Sequence, residues 1–271
     1  MSAALRLLFI FTLVAYGVAY SWLDANMQQR PETLRAAPPL KLLQAVTGLF
    51  RQLNSEMMFV QTSIFLGGLK PQADESQYEV KLAHNLRTMN SLYPEFKDPY
   101  YYTNAFLAPI SKYGAQQADL IFKTGIEAKP NNFILRFFHG ANIYYNLQQP
   151  TKAAKAFEKA AELENAPPVF SHLAAVFLAQ DGNLRAGLII LQTMLSTEKD
   201  EYVRERYLEE IACFEKAITI QKAVNTFMQE HGTPPQDLDQ LVPKYLKELP
   251  KIEKRFVLVY EPPTVSLKRP D

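Results

Sequence analysis

Residues 137–160 read FFHGANIYYNLQQPTKAAKAFEKA. The small residues Gly140 and Ala141 precede Tyr144, a polar break runs from Gln148 to Thr151, and Ala153, Phe157 and Ala160 then recur as small, large, small at helical spacing. Two helices folded back on each other satisfy this pattern. Small side chains let the axes approach to about 8–10 Å, and a large one such as Phe157 fills the adjoining groove. The pattern repeats. A shift of 34 residues pairs Gly140, Ala141 and Tyr144 with Ala174, Ala175 and Leu178, and pairs Ala153, Phe157 and Ala160 with Gly187, Leu191 and Met194. A shift of 35 the other way reaches Ala118, Phe122 and Gly125.

Polar stretches at Lys112 to Gln117, Gln148 to Thr151 and Asp181-Gly182-Asn183 mark turns, while Pro130 and Pro167-Pro168 separate successive units. A lone hairpin cannot bury its second face, so neighbouring hairpins are expected to stack. Phe137-x2-Gly140-Ala141-x2-Tyr144 followed by Ala153-x3-Phe157-x2-Ala160 resembles the tetratricopeptide repeat (TPR). Gly187 stands where that family prefers alanine, and the copy from Tyr101 to Ala128 is degenerate, with Pro109 interrupting its first helix.

Upstream of the repeats, Lys41 to Leu69 is apolar-rich and ends at Gly67-Gly68, which predicts one long helix; Gln77 to Leu92 predicts another, with Val80, Leu82, Ala83, Leu86 and Met89 inward. Asn54, Glu56 and Gln61 interrupt the first as either a partner- or lipid-contacting motif or a solvated face. Downstream, Asp200 to His231 reads as a long amphipathic helix with Tyr207, Leu208, Ile211, Phe214, Ile218 and Val224 inward, stopped by Gly232 and Pro234-Pro235. Leu238 to Leu249 reads as short helical turns, and FVLVY with VSL around Pro262-Pro263 as a β-hairpin. The order of long helix, Gly232-x-Pro234-x3-Leu238-x2-Leu241 and Tyr245-Leu246-x3-Pro250 is similar to the C-terminal part of bacterial membrane-anchored TPR proteins.

At the other end, Leu7 to Leu23 carries no charge over seventeen residues, roughly 25 Å of helix against a hydrocarbon core of about 30 Å. Arg6 precedes it and Tyr20 and Trp22 fall at its far end. An uncleaved membrane anchor is the reading adopted; a signal peptide cut near Gly17-Val18-Ala19, or a buried helix, are the alternatives. Positive charge ahead of the span places the amino terminus inside and the body outside, in a bacterium the periplasm. The expected organisation is an anchor over 1–25, a Pro-rich linker over 26–40, a TPR-like hairpin array over 41–200, and a capping helix with a small module over 201–271. The fold class is mostly α: an α-solenoid of hairpins with a small C-terminal β-hairpin.

Composition narrows function. With 29 Lys and Arg against 28 Asp and Glu, the net charge of +1 provides no field for steering nucleic acid. The single cysteine, Cys213, excludes an intramolecular disulfide or a Cys-based zinc site, and it is expected to be a buried, inert thiol beside Phe214. No GxxxxGK[ST], GxGxxG, HExxH or GxSxG occurs, so neither an enzyme nor a cofactor is expected. His139 and His172 lie at different points of the repeat and are read as packing or groove-lining residues, not metal ligands.

The TPR resemblance implies that first helices line a concave groove that takes a peptide. Setting Phe137, Ala141 and Tyr144 inward leaves Phe138, Asn142 and Tyr145 in that groove, with His172 and Val176 in the next unit. The lining lacks the cations needed to clamp an acidic carboxyl terminus. The expected function is a membrane-anchored, non-enzymatic scaffold for protein partners of an envelope assembly, with a released periplasmic peptide-binding or chaperone module as the alternative.

Overall fold

The computed structural model describes residues 9, 12–21, 33–70, 72–252 and 255–270. The chain divides into two compact units, residues 1–103 and 104–271, so the helices expected to form one array over 41–200 fall in both. Each unit has its own apolar interior.

In the first unit, residues 12–21 are helical (α1) and expose Leu13, Val14, Tyr16, Val18 and Tyr20. Among the described residues no helix is long and apolar enough to cross a membrane, and most of the rest of the expected 1–25 span lies outside them. The expected single helix from Lys41 is two: α2 (Leu40–Thr47) and α3 (Arg51–Gly67), joined by a 3-10 turn. The break falls at Gly48, whose φ of +47° favours a residue without a Cβ. Helix α4 (Glu79–Leu92) packs on α2 and α3 and buries Leu82, Ala83, Leu86 and Met89, whereas Val80 faces outward. Arg35 O and the Ala37 N–H both bond the buried Asn85 amide, so the Pro-rich segment before α2 is pinned to α4. A short α5 (Asp98–Tyr102) ends the unit and runs into a π-helical turn at Thr103–Leu107.

The second unit is a run of antiparallel helices, each packed on its neighbours in sequence: α6 (Lys112–Ala128), α7 (Phe133–Tyr145), α8 (Pro150–Ala161), α9 (Val169–Gln180), α10 (Leu184–Thr197) and α11 (Glu201–His231). The polar stretch Lys112 to Gln117, expected as a turn, is the first part of α6. Ser111 accepts hydrogen bonds from the Tyr113 and Gly114 N–H groups and so starts that helix, leaving the turn to residues 108–110. Asn132 and Asp200 cap α7 and α11 in the same manner, and Gly232, at φ +74°, closes α11. Leu208 lies on the outer side of α11, contrary to expectation; buried Cys213 lies beside Phe214.

The repeat positions meet as their sizes require. Phe122, Phe157 and Leu191 are all buried on second helices. A Cβ on Gly140 would stand 2.5 Å from the Phe157 ring, and one on Gly187 would stand 2.6 Å from Phe214 and 2.7 Å from the Ala175 carbonyl oxygen. Phe157 is boxed by Phe137, Phe170 and Phe177, with ring centroids 5.7–6.2 Å away.

Strands β1 (Val257–Glu261) and β2 (Thr264–Lys268) form the expected antiparallel hairpin, with Tyr260 opposite Val265. β2 buries Val265, Ser266 and Leu267 against α9 and α11. The 3-10 turn Leu238–Leu241 also packs on α11, with Leu241 fully buried.

Candidate partner-binding face

Helix α7 is held from two sides, and that fixes which residues remain outside. Toward α6, Asn142 donates from Nδ2 to the Ala115 carbonyl (2.9 Å) and accepts from Asn146 (3.1 Å), at 1% exposure. Phe138 packs against Phe122 in the same seam, with centroids 5.9 Å apart. His139 Nε2 donates to Asp119 of α6 (2.9 Å), which also accepts from Lys123 (2.7 Å). Burial alone would raise the Asp119 pKa; the bonds and charges of His139 and Lys123 outweigh it and hold the carboxyl below its ordinary range. Toward α9, Tyr144 stacks on Phe177 at 3.8 Å and its hydroxyl donates to Gln180.

Of the residues expected to line a groove, Phe138 and Asn142 are therefore not available to a peptide. They are structural, because the preceding hairpin covers that face of α7. His172 and Val176 are likewise covered: Val176 is buried within α9, a helix walled on successive sides by α8, α10 and β2. His172 Nε2 donates to Glu210 of α11 (2.8 Å). Tyr145 alone stands free, 70% exposed and edge-on to Tyr144 at 4.8 Å.

The face that does remain on α7 is Ile134, Phe137 and Tyr145, with Ala141 and Tyr144 half-exposed between them. Phe137, expected inward, reaches Phe157 only by its ring edge and is 41% exposed. These positions fall at i, i+3, i+7, i+10 and i+11, one side of a helix, and span roughly 16 Å. None is charged. That length matches about five residues of extended peptide, or three turns of a helix, offered aromatic faces and the Tyr145 hydroxyl. The periodicity was readable in the sequence; the rotation of α7 about its axis was not, because large apolar residues occur on both its buried side (Leu135, Phe138, Ile143) and its open side (Ile134, Phe137, Tyr145).

A second cluster carries charge. Glu210, with 0% side-chain exposure, accepts from His172 (2.8 Å) and from Arg269 Nη2 just after β2 (3.1 Å). Arg269 also lies over the Phe256 ring at 5.0 Å, and Arg255 Nε donates to Glu209 (2.7 Å). Burial pushes the Glu210 pKa up, but the His172 hydrogen bond and the charges of His172, Arg269 and Arg206 more than cancel it, leaving a net lowering. The cluster pins the C-terminal strand to α9 and α11. Neither histidine brings a third ligating group: among the described residues no set of three His, Cys, Asp or Glu side chains is placed to hold a metal ion.

No family model matches the chain, and no curated protein matches it either.

Proposed function

We propose that this chain is a non-enzymatic scaffold of TPR-like stacked hairpins, anchored once in a bacterial inner membrane with its amino terminus inside and its body in the periplasm. There it binds a protein or peptide partner of an envelope assembly concerned with secretion, pili or transport. The observation that carries the reading is a run of helices that each rest on their sequence neighbours, with Phe122, Phe157 and Leu191 buried at matching repeat positions on second helices, and with close glycine–aromatic contacts at Gly140–Phe157 within one hairpin and at Gly187–Phe214 between α10 and α11. Such arrays offer helix faces instead of clefts, and the face left open on α7 is uncharged and aromatic, suited to an apolar peptide segment.

A photo-crosslinking residue at Tyr145 in intact cells is expected to capture a protein that the Ile134→Ala, Tyr145→Ala double variant no longer retains. Retention of the same protein by a correctly folded double variant would overturn the α7 site. The mass of the mature chain in the membrane fraction separates an anchor from a cleaved signal, since cleavage removes about twenty residues.

A further inference from the structure

Helix α3 wears its apolar residues on the wrong side. The face that rests on the first unit carries Ser55, Phe59, Thr62 and Phe65: Ser55 Oγ donates to the Met89 carbonyl of α4 (3.1 Å), Phe59 sits between Phe96 and Tyr102, and Phe65 meets Tyr78. Two residues on, which is about 200° round the helix, the outward face carries Leu53, Met57, Val60 and Ile64, each more than half exposed. Helix α2 continues it with exposed Leu42 and Val46, and the turn between them thrusts out Leu49, 99% exposed, and Phe50. A folded chain does not leave an apolar stripe of this length open to water without something to cover it.

We infer that this outward face of α2, the Leu49–Phe50 turn and α3 lies in the headgroup boundary of an anionic lipid bilayer. Charge points to that occupant. From Thr33 to Lys70 the cations Arg35, Lys41, Arg51 and Lys70 are all exposed, whereas Glu56, the only acid in the stretch, is partly buried and tied to Gln52. Geometry points the same way. The left-handed break at Gly48 puts the stripe on two helix axes, with four positions over the twelve residues Leu53 to Ile64 on α3 and Leu42 and Val46 on α2. A lipid surface accepts both axes and the projecting tip. The inference rests on the anchor reading, since residues 24–34, ahead of the segment pinned to α4, tether the face to the uncharged run Leu7–Leu23 with a reach of at most roughly 40 Å.

The test uses the full chain with Cys213→Ala, reconstituted in vesicles of phosphatidylcholine with or without phosphatidylglycerol. Single cysteines replace Leu49, Met57 or Ile64 on the face, Arg87 on α4 as a water-facing control, and Tyr16 in the apolar run, each carrying an environment-sensitive fluorophore. In anionic vesicles, labels at 49, 57 and 64 are expected to blue-shift, brighten about twofold, lose emission to lipid-borne spin labels and resist iodide, while the label at 87 does the reverse. Iodide access and no lipid quenching at all three face positions would overturn the inference. So would crosslinks between the 57 positions of two copies without lipid quenching, which would mark the face as an interface between copies. Lipid quenching at 16 but not at 57 sinks this inference and leaves the anchor standing; lipid quenching at 57 but not at 16 does the opposite.

Discussion

At the scale of the residue, the two glycines of the repeat behave differently, and the difference lies in what each would push against. A methyl on Gly140 meets the tip of the Phe157 ring, which is side chain but is confined by Phe137, Phe170 and Phe177. Helix propensity returns about 1 kcal/mol for Gly→Ala while overpacking costs about 1–3, so Gly140→Ala is expected to lose about 1 kcal/mol net. A methyl on Gly187 meets the Ala175 carbonyl, which is backbone and cannot turn aside, as well as Phe214. Gly187→Ala is expected to lose about 2 kcal/mol net, read from the shift in urea midpoint at unchanged m-value. A larger loss at Gly140 than at Gly187 would contradict this account. The small–large spacing was legible in the chain because it is a local, periodic signal. The reason Gly187 departs from the alanine usual at its repeat position was not, because it lies in the carbonyl of another helix.

At the scale of the element, α3 shows where an amphipathic pattern stops being informative. Apolar residues occur on both its sides, so spacing identifies a helix without saying which side is inward. The structure settles it through small hydroxyl residues: Ser55 and Thr62 let α3 approach α4 and satisfy their own hydrogen bonds, with Thr62 Oγ1 donating back to the Met58 carbonyl. The paired substitution Met57→Gln, Val60→Gln is therefore expected to leave thermal stability in detergent-free solution within about 0.5 kcal/mol, although it removes two large apolar side chains. Phe65→Ala, on the covered side, is expected to cost about 3–5 kcal/mol. Thermal melts of the two variants side by side decide the point, and a matching large loss in both would place Met57 and Val60 in the core. Helix ends follow a similar division. Asp200 and Gly232 mark the ends of α11 by residue type, whereas the polar run Lys112 to Gln117 reads as a turn until Ser111 is seen capping the helix that contains it.

At the scale of the whole molecule, the side of α9 expected to meet a peptide is occupied by the chain's own C-terminal strand, and a buried carboxylate holds it there. Glu210 joins three segments distant in sequence: His172 on α9, Arg269 after β2, and its own helix α11. Its folded pKa is lowered from an ordinary 4.5, so its stabilising contribution is present above about pH 4.5 and is lost as pH falls through the lower, folded value. Glu210→Gln is expected to lose about 2–3 kcal/mol at pH 7, with the gap between variant and wild type narrowing below pH 4.5. Denaturation at a series of pH values measures the gap; one that widened on acidification would contradict the assignment. Residue order alone established most of the helices, the turns between α7 and α8 and between α9 and α10, the hairpin at Pro262-Pro263 and the 34-residue recurrence, because each depends on side chains within a few turns of one another along the chain. Folding in three dimensions allotted the roles: Asn142 to a seam instead of a groove, Val176 to the interior, and Tyr145 to open solvent. Those assignments turn on how far each helix is rotated about its axis, and that rotation is set by contacts with elements tens of residues away.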